Sequence, residues 1–314
     1  VIITILSGGV GGARFARGVR EHLRRSLPDA ELRIIVNTGD DMWLAGLRIT
    51  PDLDSVMYTL ARANDEERGW GRIGETERAS AELNAYGVGW PWFTLGDLDL
   101  GTHIARSSFL RDGQTLSQAT ARITSRWDLG ALLIPVTDSE VETHVTVEGG
   151  ELHFQEWWTR HRARLPALGF VQRGIEGAVA TDAALAAIRD ADVVLVAPSN
   201  PVVSIGTILG IPGIRDALAA TAAPIVGVSP IIGGAIVRGM ADACLTAIGV
   251  ETTAPAVAAH YGARSAGGLL DAWLVDTVDA SASYDVPTTA VPLWMRDLDT
   301  SAQLASDALA AARL

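Results

Sequence analysis

The chain contains no lysine; all 25 basic residues are arginine. A Walker-type phosphate loop depends on its lysine, so that class of nucleotide binder is excluded. Cysteine is almost absent as well. The lone Cys244 rules out an internal disulfide and fits a reducing cytoplasm, where the protein is expected. Its place beside Ala243 suits a small core residue. Basic charge is scarce against acid, and the 37 acidic residues leave a net charge of -12. That balance argues against a general binder of nucleic acid or membrane surfaces. No apolar run is long enough to span a bilayer. The opening one is too short for a signal peptide and lacks the basic flank. No nucleophile-elbow sequence appears, so a serine triad gains no support. His144, His153 and His260 are isolated and carry no metal-ligand spacing.

What is present points to a folded α/β protein. The 314 residues suffice for one large unit or two small domains, and 48% are hydrophobic. Val1–Leu6 is an apolar, β-branched run that predicts a buried strand. It leads straight into Ser7-Gly8-Gly9-Val10-Gly11-Gly12 and a helix expected from about Ala13 to Arg25. Bare backbone N–H groups and a helix N-terminus suit an anion such as a nucleotide diphosphate. Gly8, Gly9, Gly11 and Gly12 are therefore candidate binding residues. The dinucleotide fingerprint fails, because its third glycine falls on Arg14. The plainer reading is tight packing of a strand–helix turn.

Strand and helix patterns then alternate. Strands are expected at Leu32–Val36, Ala131–Pro135, Asp192–Ala197, Pro224–Val228 and Trp273–Val275, with helices between them. A hairpin is expected from Glu142–Val147 and Glu151–Trp157 around Glu148-Gly149-Gly150. The fold class is α/β, Rossmann-like and three-layered, with a mostly parallel sheet. We expect a single domain whose sheet core spans about 1–40 and 131–279. A helical insertion covers about 41–130. The tail 280–314 is expected to end in a surface helix, Ser301–Leu314.

Ligands of such sheets bind beyond the carboxyl ends of the strands. Four loops lie there: the glycine loop, Thr38-Gly39-Asp40-Asp41, Pro198-Ser199-Asn200-Pro201 and Ser229-Pro230. Asp40, Asp41, Asp52 and Asp54 crowd one short span. Carboxylates beside a diphosphate repel it unless a hard cation bridges them, which makes Asp40, Asp41 and Asp52 candidate Mg²⁺ ligands. Helix capping is the competing role for Asp52. Asp97, Asp99, Thr102 and His103 form a polar group before a helix, where capping again competes. Arg106 or Arg14 could supply positive charge. Ser199 and Asn200 are the polar residues of one of these loops and are candidate binding residues. Phe154-Gln155-Glu156-Trp157-Trp158 could stack a flat heterocycle, although paired tryptophans in a hairpin more often fill a core.

Together these motifs resemble the CofD/FbiA family, the 2-phospho-L-lactate transferases and their phosphoenolpyruvate-transferring relatives. The resemblance rests on Gly8-Gly9-Val10-Gly11-Gly12, Asp41 with Trp43 and Gly46, Pro51-Asp52-Leu53-Asp54, and Gly96-Asp97-Leu98-Asp99 with Thr102-His103. It continues through His153-Phe154-Gln155, Pro198-Ser199-Asn200-Pro201 with Ser204-Ile205-Gly206, and Val228-Ser229-Pro230-Ile231-Ile232-Gly233. It implies transfer of a phospho-acyl-type group from a guanosine diphosphate donor to the deazaflavin Fo, with Mg²⁺ required and GMP released. The product would be a precursor of coenzyme F-420. Asp54 matches the family's acceptor-binding aspartate, and Asp54 with Asp41 are the expected catalytic residues. Many relatives carry arginine where this chain has Leu98, so any ligand contact by that arginine is missing here. An enolpyruvyl donor is favoured over a lactyl or glyceryl one. The sequence does not fix the oligomeric state; a homodimer is the expected assembly. Two other readings stand beside this one: a regulatory protein similar to YvcK that binds a nucleotide sugar, and a nicotinamide-dependent oxidoreductase.

Overall fold

The computed structural model describes residues 1–313. Seven strands form one sheet: β1 (Ile2–Ser7), β2 (Glu31–Val36), β3 (Leu132–Pro135), β4 (Val193–Val196), β5 (Ile225–Val228), β6 (Ala272–Val275) and β7 (Thr288–Ala290). Their spatial order is β7-β6-β5-β4-β1-β2-β3, and each neighbouring pair is parallel. The sequence runs are apolar on both faces because both faces are covered. Ile3 and Ile5 of β1 and Ile34 and Val36 of β2 face one layer, while Leu6 and Ile35 face the other.

The first layer holds α1 (Gly9–Ser26), α2 (Pro51–Leu60) and α4 (Leu298–Ala311), while α3 (Asp97–Arg111) adds Leu100 to a small separate core with Met42, Leu44 and Ile49. Helix α1 starts four residues earlier than its apolar pattern suggests, so Gly9–Gly12 form its first turn rather than a free loop. The glycines permit close approach. A Cβ on Gly11 would stand 2.8 Å from the Pro198 carbonyl oxygen, and one on Gly12 would strike the Ser7 and Ser199 hydroxyls.

The tail differs from expectation. Residues 288–290 add the edge strand β7, a run too short and too flanked by proline to stand out in the sequence. Helix α4 is a core helix, not a surface one. Its Ala302, Leu304, Ala305, Ala308 and Leu309 are buried, and it lies so close to α1 that a Cβ on Gly18 would collide with the Ser301 carbonyl. Leu314, the last residue of the expected helix, lies outside the described residues.

The segment 41–130 contains a two-stranded hairpin, Met42–Leu44 with Leu47–Ile49, besides its helices. Helix α2, inside that segment, packs on α1 as part of the main core. A separate three-stranded antiparallel sheet pairs Glu142–Val147 with Gly150–His153 and Gly169–Arg173. The expected hairpin arm through Trp157 stops at His153. Glu156–Arg160 instead form a π-helical turn. It buries Trp157 completely, and the indole N–H donates to the Leu165 carbonyl at 2.8 Å. These aromatics therefore fill a core. No single described helix is long and apolar enough to cross a membrane.

Candidate active site at the strand ends

The chain leaves β1 toward β2 on one side and β4 on the other, so the loops after β1 and β4 flank the topological switch point. Gly8 caps α1 there with no side-chain cap, and the first turn carries no acid of its own. Gly9 takes φ +62°, a left-handed conformation that glycine adopts without strain. The Asp52 carboxylate from α2 lies against this turn: its Oδ2 would stand 2.5 Å from a Cβ on Gly8.

Asp52 Oδ2 accepts a bond from Asn37 Nδ2 at 2.9 Å. Burial pushes its carboxyl up to about 6, against the pull of the Asn37 amide and of the nearby Gly9 backbone. Asp40 is raised as well, by burial first and then by the charges of Asp52 and Asp41. Burial likewise raises Asp41, which Arg48 and Arg106 oppose. Both Asp41 carboxylate oxygens and Asp40 Oδ1 are buried without a hydrogen-bond partner. Orphaned anionic oxygens of this kind are costly, and they invite a hard cation. The donor set of Asp40, Asp41 and Asp52 therefore fits Mg²⁺ in chemistry. The three do not converge as tightly as the sequence span suggests: among the described residues the compact triad is Asp54, Asp99 and His103, whose ligating atoms lie within 4.8 Å of one another.

That triad is already engaged. Arg106 Nη2 pairs with Asp54 Oδ1, so a guanidinium stands where a cation would need to be. Thr50 Oγ1 donates to Asp54 Oδ2 at 3.1 Å. Arg106 Nη1 lies 3.0 Å from His103 Nδ1, and His103 Nε2 lies 3.3 Å from Asp99 Oδ2. Tyr58 donates its hydroxyl to Asp99 Oδ1 at 2.7 Å. Burial raises the Tyr58 hydroxyl, with Asp54 and Asp99 adding to it. Burial alone would lower Arg106, but Asp54 above all, with Tyr58 and Asp41, holds it above its ordinary value.

The remaining candidates divide. Thr102 is buried beside the Tyr58 hydroxyl. His103 and Arg106 are 1% and 2% exposed, so both work from behind the surface of the crevice. Asp97 faces solvent and clamps Thr76, accepting from its N–H and its hydroxyl at 2.8 Å each. Ser199 and Asn200 have scaffold roles instead of free recognition groups. Ser199 Oγ is taken by Gly8. Asn200 Oδ1 caps the turn Pro201–Ile205 through Val202 N–H at 2.9 Å, and its Nδ2 donates to Cys244 Sγ.

Three residues escaped the sequence reading. Arg48 sits 3% exposed in the hairpin, with Nη2 3.6 Å from Asp41 Oδ2. Tyr58 closes the Asp99 end of the network. Arg238 donates to the Gly69 carbonyl at 3.2 Å, and its guanidinium is lowered by burial and then by the charge of Arg14. No pattern marks any of the three, because each owes its place to tertiary contacts.

A parallel α/β sheet with buried carboxylates gathered beyond its strand ends places the protein in the Rossmann-like class. The profile of the family described as "2-phospho-L-lactate transferase CofD" matches residues 3–308. The phosphoenolpyruvate transferase of Streptomyces coelicolor is 55% identical over 98% of this chain and 97% of its own length. That of Nocardia farcinica is 53% identical over 98% and 93%, and that of Mycobacterium avium 51% over 98% and 97%. The crystal structure of BH3568 from Bacillus halodurans superimposes with a TM-score of 0.63 at 17% identity, covering 98% of both chains. A second structure of it, titled as a member of the UPF0052 family, gives 0.62; this likeness concerns the fold alone. The chain belongs to the CofD family. It is a transferase of coenzyme F-420 biosynthesis, which sets aside the oxidoreductase reading.

Proposed function

We propose that the enzyme transfers a phosphoenolpyruvyl group from a guanosine diphosphate-linked donor to the ribityl hydroxyl of the deazaflavin Fo. The observation that carries this reading is the 51–55% identity, over nearly the whole chain, to proteins named phosphoenolpyruvate transferase. The hydroxyl oxygen of Fo forms a bond to the phosphorus that bears the enolpyruvyl group. The bond from that phosphorus to the bridging oxygen breaks, GMP leaves, the hydroxyl proton is lost to the site, and dehydro-F-420-0 results. A lactyl donor would give F-420-0 by the same steps.

Catalysis of this kind consists mainly of positioning and charge neutralisation. Asp40, Asp41 and Asp52 are the residues that would hold Mg²⁺, which when bound supplies charge neutralisation on the donor phosphates. Asp52 also lies against the Gly8–Gly9 turn that opens α1. Asp54, fixed by Arg106 and Thr50, orients the acceptor hydroxyl. Arg48 balances Asp41 across the same crevice.

Calorimetry on wild type and on Asp54→Ala tests this assignment. Fo affinity should fall by about tenfold or more in the variant, the loss of a hydrogen bond to a charged group. Affinity for GDP should hold. Unchanged Fo affinity and turnover would remove Asp54 from the acceptor subsite, and lost GDP binding alone would exchange the two ends of the crevice.

A further inference from the structure

The buried chain Asp99–His103–Arg106–Asp54 has a polarity that follows from chemistry. A guanidinium carries only N–H donors and no acceptor. Arg106 Nη1 lies 3.0 Å from His103 Nδ1, so Nδ1 must be the accepting nitrogen. The ring proton then belongs on Nε2, which makes no hydrogen bond and faces the Asp99 carboxylate, with Oδ2 3.3 Å away; on the other side Asp54 Oδ2 stands 3.6 Å from Nδ1, farther than the Arg106 nitrogen. Asp99 is itself fixed by Tyr58 Oη at 2.7 Å and by the Glu75 carboxylate, which accepts the Asp99 N–H at 3.1 Å. At the other end Arg106 Nη1 also donates to the Arg48 carbonyl at 3.2 Å, which leaves Nη2 directed at Asp54 Oδ1. The ring is anchored from its backbone as well: Ser107 Oγ donates to the His103 carbonyl at 2.7 Å and accepts Arg48 N–H at 2.8 Å. A ring turned to carry its proton on Nδ1 would set two donors face to face and displace the guanidinium.

We propose that His103 is a positioning residue for Asp54: held by Asp99 as the Nε2–H tautomer, it supplies the acceptor that steers Arg106 onto the Asp54 carboxylate. His103 touches no substrate in this account, since it is buried behind Asp54. The inference rests on the reading of Asp54 as the residue that orients Fo. It assigns Asp99 and Tyr58 to the same task, one step further back.

The two ring nitrogens can be replaced separately. Asparagine places an acceptor where Nδ1 stands, and glutamine places a donor where Nε2 stands. His103→Asn should keep Fo affinity and kcat/KM within about threefold of wild type, because Arg106 retains its acceptor. His103→Gln keeps the partner of Asp99 but leaves Arg106 without one, and should lose about tenfold or more in both. GDP affinity should hold in each. A merely structural histidine would make the two variants equal, or make the loss follow the melting temperature; either result would overturn the proposal.

Nitrogen-15 histidine spectra of the wild-type protein test the tautomer without any variant or substrate, the His103 signal being identified by its absence from His103→Gln. One proton on Nε2 is expected. A proton on Nδ1, or on both nitrogens, overturns the proposal whatever the Fo titration gives. Failure of the wild type to bind Fo would instead overturn the functional reading, with the tautomer still decided by the spectrum.

Discussion

Ser199 Oγ holds Gly8 at both ends of the residue, accepting its N–H at 3.0 Å and donating to its carbonyl at 2.7 Å. The contact ties the loop after β4 to the cap of α1 across the switch point. Ser199→Ala would leave the buried Gly8 N–H unpaired, at a cost of about 1–3 kcal/mol, while the Gly8 carbonyl keeps its intrahelical bond. Thermal unfolding should show that loss. Discrimination between guanosine and adenosine donors should be unaffected by it. A variant that melts like wild type but no longer prefers guanosine would return Ser199 to base recognition.

Gly18 and Ser301 set the seat of the last helix. Gly18→Ala drives a Cβ into the Ser301 carbonyl, which must move with all of α4. Overpacking of this kind costs about 1–3 kcal/mol. Chemical denaturation should record the loss, while kcat at a temperature where the variant is folded should match wild type. Wild-type stability in Gly18→Ala would mean that α4 does not pack there.

The carboxylates at the strand ends give a pH signature. Asp52 is raised to about 6 from 3.8 by burial, so the native state binds its proton more tightly than the unfolded chain does. Stability of metal-free protein should therefore fall as pH rises from about 4 to about 6, and level off above. Asp40 and Asp41 are raised too and extend the fall toward higher pH. Mg²⁺ binds the ionised forms, so its stabilising effect should be larger at pH 7.5 than at pH 5. Scanning calorimetry with chelator and with Mg²⁺ at both pH values checks this. An equal effect at both would place the ion elsewhere.

Arg106 meets Asp54 and His103 with two separate nitrogens. A lysine has one compact ammonium and cannot reproduce that fork. Arg106→Lys should lower Fo affinity about tenfold or more while GDP affinity holds. Titration calorimetry gives both numbers on one preparation. Full Fo affinity in the variant would show that Asp54 needs no guanidinium.

Much of the architecture was legible in the sequence. Strand runs apolar on both faces can only sit in a covered parallel sheet, and six of the seven sheet strands follow from that pattern. The crowding of Asp40, Asp41, Asp52 and Asp54 was legible too, and the structure buries all four carboxylates. What stayed hidden depends on contacts between distant residues. Alanine-rich α4 looks like a solvent-facing helix until Gly18 opens a seat for it. Thr288–Ala290 is too short to carry a period. Ser199 and Asn200 have side chains suited equally to a ligand and to a backbone, and only the fold shows the backbone taking them. Gly11 and Gly12 approach Pro198, Ser7 and Ser199 closely, contacts between distant residues that no local pattern announces.

The central claim is the transfer itself. Incubation of the purified protein with Fo, Mg²⁺ and equal amounts of the enolpyruvyl and lactyl guanosine donors, followed by mass spectrometry, tests it most directly. The account predicts GMP release and a product of dehydro-F-420-0 mass in excess over F-420-0. A product of lactyl mass alone would contradict the donor assignment. Binding of a guanosine donor with no Fo adduct under any of these conditions would contradict the transferase account.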